Sequence, residues 1–544
     1  MANRVYNIMF HTHTVSGISI SALLFVIFFA GSISFLRDEI SAWERNESVQ
    51  KDYFETADYD SLLQKMGEDT NLYGRDITFS NRYFERRVTV NMSASKDTTL
   101  QEESPSRGRR GNFFYLNVAN KTKSDYAENY SLGEFFYRLH FFAQLNFFGR
   151  SGYLLAGIVA FFFLFAVITG VIVHWKKIIP SFYVFRPKAK WKAMWTDAHV
   201  GLGLIGLPYQ FMFAVTGAYL IVGYTIMTPA VQSFLFNDDA AKMQEISSFA
   251  GAPDYTFTGK KLSEPPIIAP FIEKTKEKWP DLAINELQLI NYGDANMHVK
   301  VGGSPQFEDQ LLGTGHLTFR VADGSVVETE DPYASIGYTE GARNLMLRLH
   351  YGDFGGYGMK LIYFILGLIT CFVILSGVLI WLTARDRKAT SPAKKTFNSW
   401  LVRIYMAACL SMLPVTAFTF IAVKCFADGF SGTRMDFIFH IFFWSWLGLS
   451  VLLLFLRSNY LANKICLVLG GILGIAVPVS NGIMTGNWPW ETWRLGYFQI
   501  FVVDVFWLAL SITALLVAFK LKPRDEAESK DKRFPKSKKQ LIEG

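Results

Sequence analysis

Long apolar runs constrain this chain more than any other feature of its sequence. Half of the 544 residues are hydrophobic, and runs of about 20 apolar residues, the length that crosses a hydrocarbon core of roughly 30 Å, recur along the chain. They predict a polytopic, all-α membrane protein rather than a soluble one. Eight spans are expected, at about 15–36, 152–175, 200–226, 358–384, 400–423, 436–456, 465–484 and 497–519.

The first four spans form a duplicated unit. The first and third each begin with a histidine that has glycines four and eighteen residues further on, and Arg-Leu-His precedes the second and the fourth. The matching residues are His13, Gly17 and Gly31 with His199, Gly203 and Gly217, and Arg138-Leu139-His140 with Arg348-Leu349-His350. The repeat unit is therefore a span, an extramembrane segment and a second span. The last four spans do not repeat it and are expected to form an appended bundle.

Basic residues predict the orientation. Loops at 176–192 and 385–395 and the tail after Phe519 are rich in Lys and Arg, and short loops of this kind stay in the cytoplasm. Both termini are then cytoplasmic, and segments 37–138 and 227–347 lie outside, in a periplasm or its equivalent. The net charge of +7 reflects this loop asymmetry and not a surface for nucleic acid.

The two outer segments have the sequence patterns of small α+β domains, since helical periodicity and alternating apolar runs occur in both. The expected division is 1–36 (first span), 37–138 (first outer domain), 139–226 (second and third spans with the basic loop), 227–347 (second outer domain), 348–390 (fourth span), 391–520 (appended bundle) and 521–544 (disordered tail).

Five histidines lie near predicted span ends. His13, His174 and His199 fall near the cytoplasmic face, and His140 and His350 near the outer face. A pseudo-two-fold axis normal to the membrane would bring equivalent residues of the two repeats together, so that His13 opposes His199 and His140 opposes His350.

Paired histidines between facing helices point to haem. Neutral imidazole nitrogen is a good axial ligand for haem iron, and two of them give an electron-transferring b-type centre. Four-helix bundles commonly hold such sites. We therefore expect two haems per chain, one near each face, bound noncovalently because no Cys-x-x-Cys-His occurs.

Neighbouring residues fit the same hypothesis. Arg138 and Arg348 suit the haem propionates, because guanidinium binds carboxylate through two hydrogen bonds. The glycines of the repeat, together with Gly170 and Gly377, would let porphyrin or a neighbouring helix approach closely.

His174 is ambiguous. Its counterpart in the second repeat is Trp381, so the symmetry is broken there. It could replace His13 or His199 as a ligand, or serve a second site.

Other interpretations stay open. The histidines could be interfacial residues and the glycines packing residues. The chain could also be a transporter or permease with proton relays, or a regulatory membrane protein without a redox role. No catalytic residue is assigned. The electron donor is left as a membrane quinol or a cytoplasmic reductase, because no nicotinamide-binding glycine motif opens a cytoplasmic helix.

Asp504, inside the eighth span, is expected to pair with a neighbour such as Asn481 or His440.

The chain resembles the PepSY-associated transmembrane family of bacterial inner-membrane proteins over about residues 1–390. The residues that carry the resemblance are His13-x-x-x-Gly17 with Ala30-Gly31, Arg138-Leu139-His140 with Thr169-Gly170, His199-x-x-x-Gly203 with Thr216-Gly217, and Arg348-Leu349-His350 with Ser376-Gly377. The outer segments look like PepSY domains. The family includes ferric-siderophore reductases, so the resemblance implies bis-histidine b-type haems in the bilayer and electron delivery to a periplasmic ferric siderophore. For the transporter alternative, it implies a siderophore as the transported molecule.

Overall fold

A computed structural model gives the fold of the chain. It describes residues 3–48, 52–81, 87–99, 112–175, 180, 186, 191–237, 255–306, 310–456 and 458–522. Most of the basic loop 176–192, and the tail expected to be disordered beyond residue 522, lie outside the described residues.

The helical elements follow the apolar runs. In chain order they are α1 (Asn3–Ser34), α2 (Arg37–Arg45), α3 (Tyr59–Asp69), α4 (Leu132–Leu139), α5 (Ser151–His174), α6 (Trp191–Ile205), α7 (Leu207–Val222), α8 (Thr228–Phe236), α9 (Ala269–Lys278), α10 (Tyr338–Tyr351), α11 (Gly356–Arg385), α12 (Pro392–Leu410), α13 (Met412–Phe426), α14 (Arg434–Phe455), α15 (Asn459–Thr485), α16 (Pro489–Arg494) and α17 (Phe498–Lys520). Across the described ranges, eight helices are long and apolar enough to cross a membrane, which confirms the predicted polytopic architecture.

The first four spans pack as a four-helix bundle. The helix α1 packs on α5 of its own repeat and on α11 of the other. In the second repeat, α6 packs on α11 and α7 packs on α5. Each repeat therefore supplies two helices that contact the other repeat, as a pseudo-two-fold arrangement requires.

The third span is less regular than the first. It is divided between α6 and α7 at Gly206, and a π-helical turn at Gly223–Met227 joins α7 to α8. Pro208 and Pro229 lie in the first turns of α7 and α8, where proline is tolerated because the amide there has no partner within the helix.

The two extramembrane segments share one sheet instead of forming two separate domains. The strands are β1 (Ile77–Ser80), β2 (Arg87–Met92), β3 (Asn112–Asn117), β4 (Lys123–Ser124), β5 (Leu282–Ile290), β6 (His298–Pro305), β7 (Gly315–Arg320) and β8 (Val326–Glu330). They form an eight-stranded sheet in the order β4-β3-β2-β1-β5-β6-β7-β8. Ile77 pairs with Leu289 and Phe79 with Leu287 where β1 meets β5. This pairing satisfies backbone groups that an isolated half would leave open at its edge.

One hydrophobic core lies beneath this sheet. It contains Leu62 from α3, Phe79 from β1, Phe271 from α9 and Leu287 from β5. Each half contributes a helix and a four-strand meander, so the duplication seen in the membrane continues in the sheet. The two segments are consequently one folded unit.

The appended bundle comprises α12 to α15 and α17. Its helices pack on one another, and α13 and α17 also contact α2, the short helix that follows the first span. Asp504 of α17 accepts a hydrogen bond from Nδ2 of Asn481 at 3.1 Å, as expected, and another from Nε1 of Trp43 in α2 at 2.8 Å. The side chain of His440 lies elsewhere, with Nδ1 2.7 Å from the carbonyl oxygen of Asp436.

We predict that Phe79→Ala destabilises both halves of the sheet together. Phe79 is fully buried at the join, and removing such a side chain costs about 3–5 kcal/mol. Limited proteolysis should cut segments 87–118 and 282–330 faster and in parallel. Phe113→Ala is the matched control, because Phe113 is 43% exposed. Faster cutting of the first segment alone would show that the halves fold independently.

Candidate functional site

The first histidine pair, His13 and His199, lies between the two repeats. The ring of His13 is seated against Gly170 of α5, where an added Cβ would lie 3.1 Å from Cε1 of His13. Its Nδ1 is 2.8 Å from the carbonyl oxygen of Ala166, one turn earlier in the same helix. A glycine at this position leaves the neighbouring helix backbone open to the ring.

His199 repeats this geometry in the second repeat. A Cβ added at Gly377 of α11 would lie 3.2 Å from Cε1 of His199. Its Nδ1 is 2.9 Å from the carbonyl oxygen of Val373 and 3.1 Å from Oγ of Ser376. Since Val373 precedes Gly377 by the same turn that separates Ala166 from Gly170, the two contacts are equivalent.

The second histidine pair, His140 and His350, lies at the end of the bundle that adjoins the sheet. His140 follows the last residue of α4, and its Cβ would be 3.8 Å from a Cβ added at Gly31. His350 lies in the last turn of α10, and its Cε1 would be 3.9 Å from a Cβ added at Gly217. Each of the four histidines is therefore placed against a glycine of another span.

The Nδ1 atoms of the second pair have different partners. Nδ1 of His350 is 2.9 Å from Oγ1 of Thr216, whose hydroxyl donates to the carbonyl oxygen of Met212. Nδ1 of His140 donates to the carbonyl oxygen of Tyr137 in its own helix. The residue that corresponds to Thr216 in the first repeat is Ala30, which offers no hydroxyl.

These hydrogen-bond partners determine which nitrogen of each imidazole ring carries the proton. A carbonyl oxygen only accepts, and the Thr216 hydroxyl is already used as a donor, so each Nδ1 carries the proton. Nε2 of each ring then presents its lone pair, and within the described residues Nε2 makes no hydrogen bond in any of the four. This is the arrangement of a metal-binding histidine, whose other nitrogen donates to a carbonyl or hydroxyl group.

The spacing of the rings fits one metal ion between each pair. The ring centroids are 6.3 Å apart for His13 and His199 and 6.3 Å apart for His140 and His350. Two imidazoles that bind one metal ion from opposite sides, each with a metal–nitrogen distance of about 2.0 Å, have ring centres roughly 6 Å apart.

Each pair offers two imidazole nitrogens as metal ligands. In the parts of the chain that the structure describes, no group of three or more His, Cys, Asp or Glu side chains could hold a metal. A structural zinc site needs about four protein ligands. A pair of imidazoles instead suits an iron whose other positions are filled by a porphyrin.

The two pairs are well separated along the bundle. His13 and Gly31 lie on the same helix, eighteen residues apart, which corresponds to about 27 Å at 1.5 Å per residue. Because His140 is seated against Gly31, one pair lies near each end of the spans.

The predicted arginines are engaged by carboxylates. Nε of Arg138 is 2.6 Å from Oε1 of Glu134, and Nη1 of Arg348 is 2.7 Å from Oδ2 of Asp353. Burial alone raises the pKa of the Glu134 carboxyl, but the guanidinium groups of Arg37 and Arg138 bring its pKa below the usual range. Both arginines are thus held beside the second pair, and their contact with propionates stays a prediction.

His174 and His316 lie outside the two pairs. His174, at the end of α5, lies within electrostatic range of His199 and so belongs to the neighbourhood of the first pair. Its counterpart Trp381 carries the guanidinium of Arg385 over its ring at 4.3 Å. His316 is buried in the sheet, with Nδ1 2.9 Å from Oε2 of Glu330.

Four of the six predicted glycines contact the histidines, and the other two do not. Gly31, Gly170, Gly217 and Gly377 contact the histidines. A Cβ added at Gly17 would meet nothing within 4 Å, and the nearest atom to one at Gly203 would be Cγ1 of Val373 at 3.9 Å. The residues before two of these glycines, Thr216 and Ser376, supply hydroxyls to the rings of His350 and His199, a role that the sequence pattern did not reveal.

A comparison with known families matches the part of the chain that contains both histidine pairs. The model of the PepSY-associated transmembrane region matches residues 10–384, which is more than half of the chain and ends with α11. The chain belongs to the PepSY-associated transmembrane family. No curated protein matches it. The family match contains both histidine pairs and leaves out the appended bundle.

We predict that Gly170→Val destabilises the protein more than Gly17→Val. The valine methyl groups would enter the space of the His13 ring, and overpacking of this kind costs about 1–3 kcal/mol. Gly17 lies on an open face of α1, so its replacement controls for the effect of valine in a helix. Thermal unfolding in detergent measures the difference, and equal melting temperatures would contradict the close contact.

Proposed function

We propose that this family member is an inner-membrane b-type haem oxidoreductase that passes electrons across the membrane to a periplasmic ferric siderophore. The observation that carries the proposal is the geometry of the two histidine pairs. In both, the ring centroids are 6.3 Å apart and each Nδ1 is held by an acceptor.

The chain's own residues would hold the two haems as follows. His13 and His199 would bind one iron, and His140 and His350 the other, each through Nε2. The hydrogen bonds at Nδ1 keep the rings oriented and make them more basic ligands. A bound haem supplies an iron that accepts and passes on one electron at a time.

The direction of transfer rests on the charge of the loops. Lys and Arg in 176–192 and 385–395 would keep those loops in the cytoplasm, which puts the shared sheet in the periplasm. Electrons then enter from a membrane quinol or a cytoplasmic reductase near His13 and leave near His140.

The substrate class is supported by the family resemblance. One electron from the second haem site would convert iron(III) in the chelate to iron(II). Hard oxygen chelators hold the ion of lower charge less tightly, so that iron is released.

A visible spectrum of the detergent-purified protein is the decisive experiment. We expect sharp reduced haem bands after dithionite, at about two haems per chain. His140→Ala or His350→Ala should each remove one haem, and His13→Ala or His199→Ala the other. His440→Ala, an exposed histidine of the appended bundle, should remove none.

Two results would overturn the proposal. A colourless protein, produced with ample haem supply, would favour a transporter or a regulatory membrane protein. A haem-loaded protein whose reduced bands persist when a ferric hydroxamate chelate is added would retain the haem centre but reject the substrate.

We predict that Thr216→Val weakens binding of the second haem by about 10–100-fold, the usual effect of losing a group that orients a metal-binding histidine. Valine keeps the shape but cannot accept the Nδ1 proton of His350. Thr383→Val is the matched control, since the Thr383 hydroxyl donates to carbonyls of its own helix. Haem titration of depleted protein measures both, and equal affinities would contradict a role for the hydroxyl.

A further inference from the structure

The two histidines of the second pair are supported unequally. Thr216, on another span, orients His350, whereas His140 donates to the backbone of its own short helix. The position of the His140 ring is consequently set by the placement of α4 as a whole. Whatever holds α4 therefore holds His140.

Aromatic residues of the appended bundle hold one side of α4. Phe135 and Phe136 of α4 are fully buried. The ring centroid of Phe442, on α14, lies 4.8 Å from that of Phe135 and 5.9 Å from that of Phe136. Phe420, on α13, stacks on Phe136 at 6.3 Å. Aromatic pairs at these distances pack favourably beyond the area that they bury.

The corresponding helix of the second repeat is not supported in this way. Aligned on Arg-Leu-His, the residues of α10 that match Phe135 and Phe136 are Leu345 and Met346. Both are only half-buried, and α10 packs on α7 of its own repeat. The aromatic contacts thus occur in the first repeat, which has Ala30 where the second repeat has Thr216.

Polar contacts join the first turn of α4 to residues of α2. The Glu44 carboxylate, whose side chain is fully buried, accepts the backbone N–H of Leu132, the first residue of α4, at 2.6 Å. The other oxygen of Glu44 is 2.6 Å from Nη2 of Arg434, the first residue of α14. Ser41 and Ser131 are hydrogen-bonded at 2.8 Å, and Ser131 caps α4 by accepting the Glu134 N–H.

The appended bundle also holds α2 itself. Asp504 accepts from Nε1 of Trp43, and the Lys424 ammonium donates to the carbonyl oxygens of Trp43 and Glu44 at the last turn of α2. A cation at a helix C-terminus meets carbonyls that have no partner within the helix. The bundle therefore reaches α4 both directly and through α2.

We propose that the appended bundle is a positioning device for His140, with Phe442 and Arg434 as positioning residues of the second haem site. This inference rests on the proposed function, because the second haem is the group whose binding it controls. It gives the last four spans a role in the redox centre without any ligand of their own.

The test is Phe442→Ala in the full-length protein, with Phe437→Ala as the matched control. Phe437 lies on the same helix, is also buried, and has its ring contact with Phe430 within the described residues. We expect Phe442→Ala to weaken the second haem by about 10–100-fold and to shift its low-spin electron paramagnetic resonance signal. The first haem should be unchanged. His13→Ala and His140→Ala identify which signal belongs to which site.

Two further variants keep the test informative if Phe442→Ala folds poorly. Phe442→Leu retains much of the apolar volume and should restore most of the affinity. Arg434→Gln leaves the aromatic packing intact, removes the ion pair to Glu44 and should shift the same signal in the same direction.

Three results would count against the inference. In a protein that binds two haems, no selective change in the second haem would refute it. Equal loss of both haems would indicate general destabilisation, as would the same effect in Phe437→Ala. Absence of haem from the unmodified protein would refute the proposed function instead.

Discussion

The contact between a histidine ring and the bare backbone of a facing helix organises this membrane domain. Because glycine has no side chain, the ring can approach the helix backbone. The ring's Nδ1 then bonds to a carbonyl or hydroxyl oxygen of that helix, or, in His140, to a carbonyl oxygen of its own helix. Each contact joins two helices of the same repeat, and the two rings of each pair then lie 6.3 Å apart between the repeats. Helix packing and the orientation of the histidine ring are thus one interaction, so that a change of packing at Gly170 is also a change at His13.

The repeats are similar in backbone but not in the way their second pair is supported. One histidine has Thr216 on a neighbouring span, and the other depends on a short helix with aromatic neighbours. Helix α4 is only eight residues long, and so short a helix has little stability without tertiary packing. Helix α4 packs on α1 and α2, and the rings of Phe442 and Phe420 from the additional bundle pack against Phe135 and Phe136. The broken symmetry and the extra spans consequently have a common physical explanation.

The shared sheet connects the repeats a second time, outside the membrane. Pairing of β1 with β5 makes the two segments one core. The strand β8 leads into α10, which carries His350, and β4 leads into α4, which precedes His140. Movement of one half of the sheet would be transmitted to the other half. The two histidines of the second pair are therefore connected through the sheet as well as through the bundle.

The sequence by itself determined the spans, the duplication and the pairing of equivalent histidines. The bilayer requires each spanning segment to be apolar, so the spans can be recognised from local sequence. A sequence repeat implies that its two copies are related by symmetry, so equivalent histidines are expected to pair. The sequence also limited the partners of Asp504 to a few polar residues, of which Asn481 is the one in contact. Only the tertiary structure decided that the outer segments form one sheet, that Thr216 orients His350, and that the appended bundle holds α4. These contacts join residues far apart in the chain, such as Phe79 with Leu287 or Phe135 with Phe442, and no local pattern specifies which distant partner a buried edge or ring will meet.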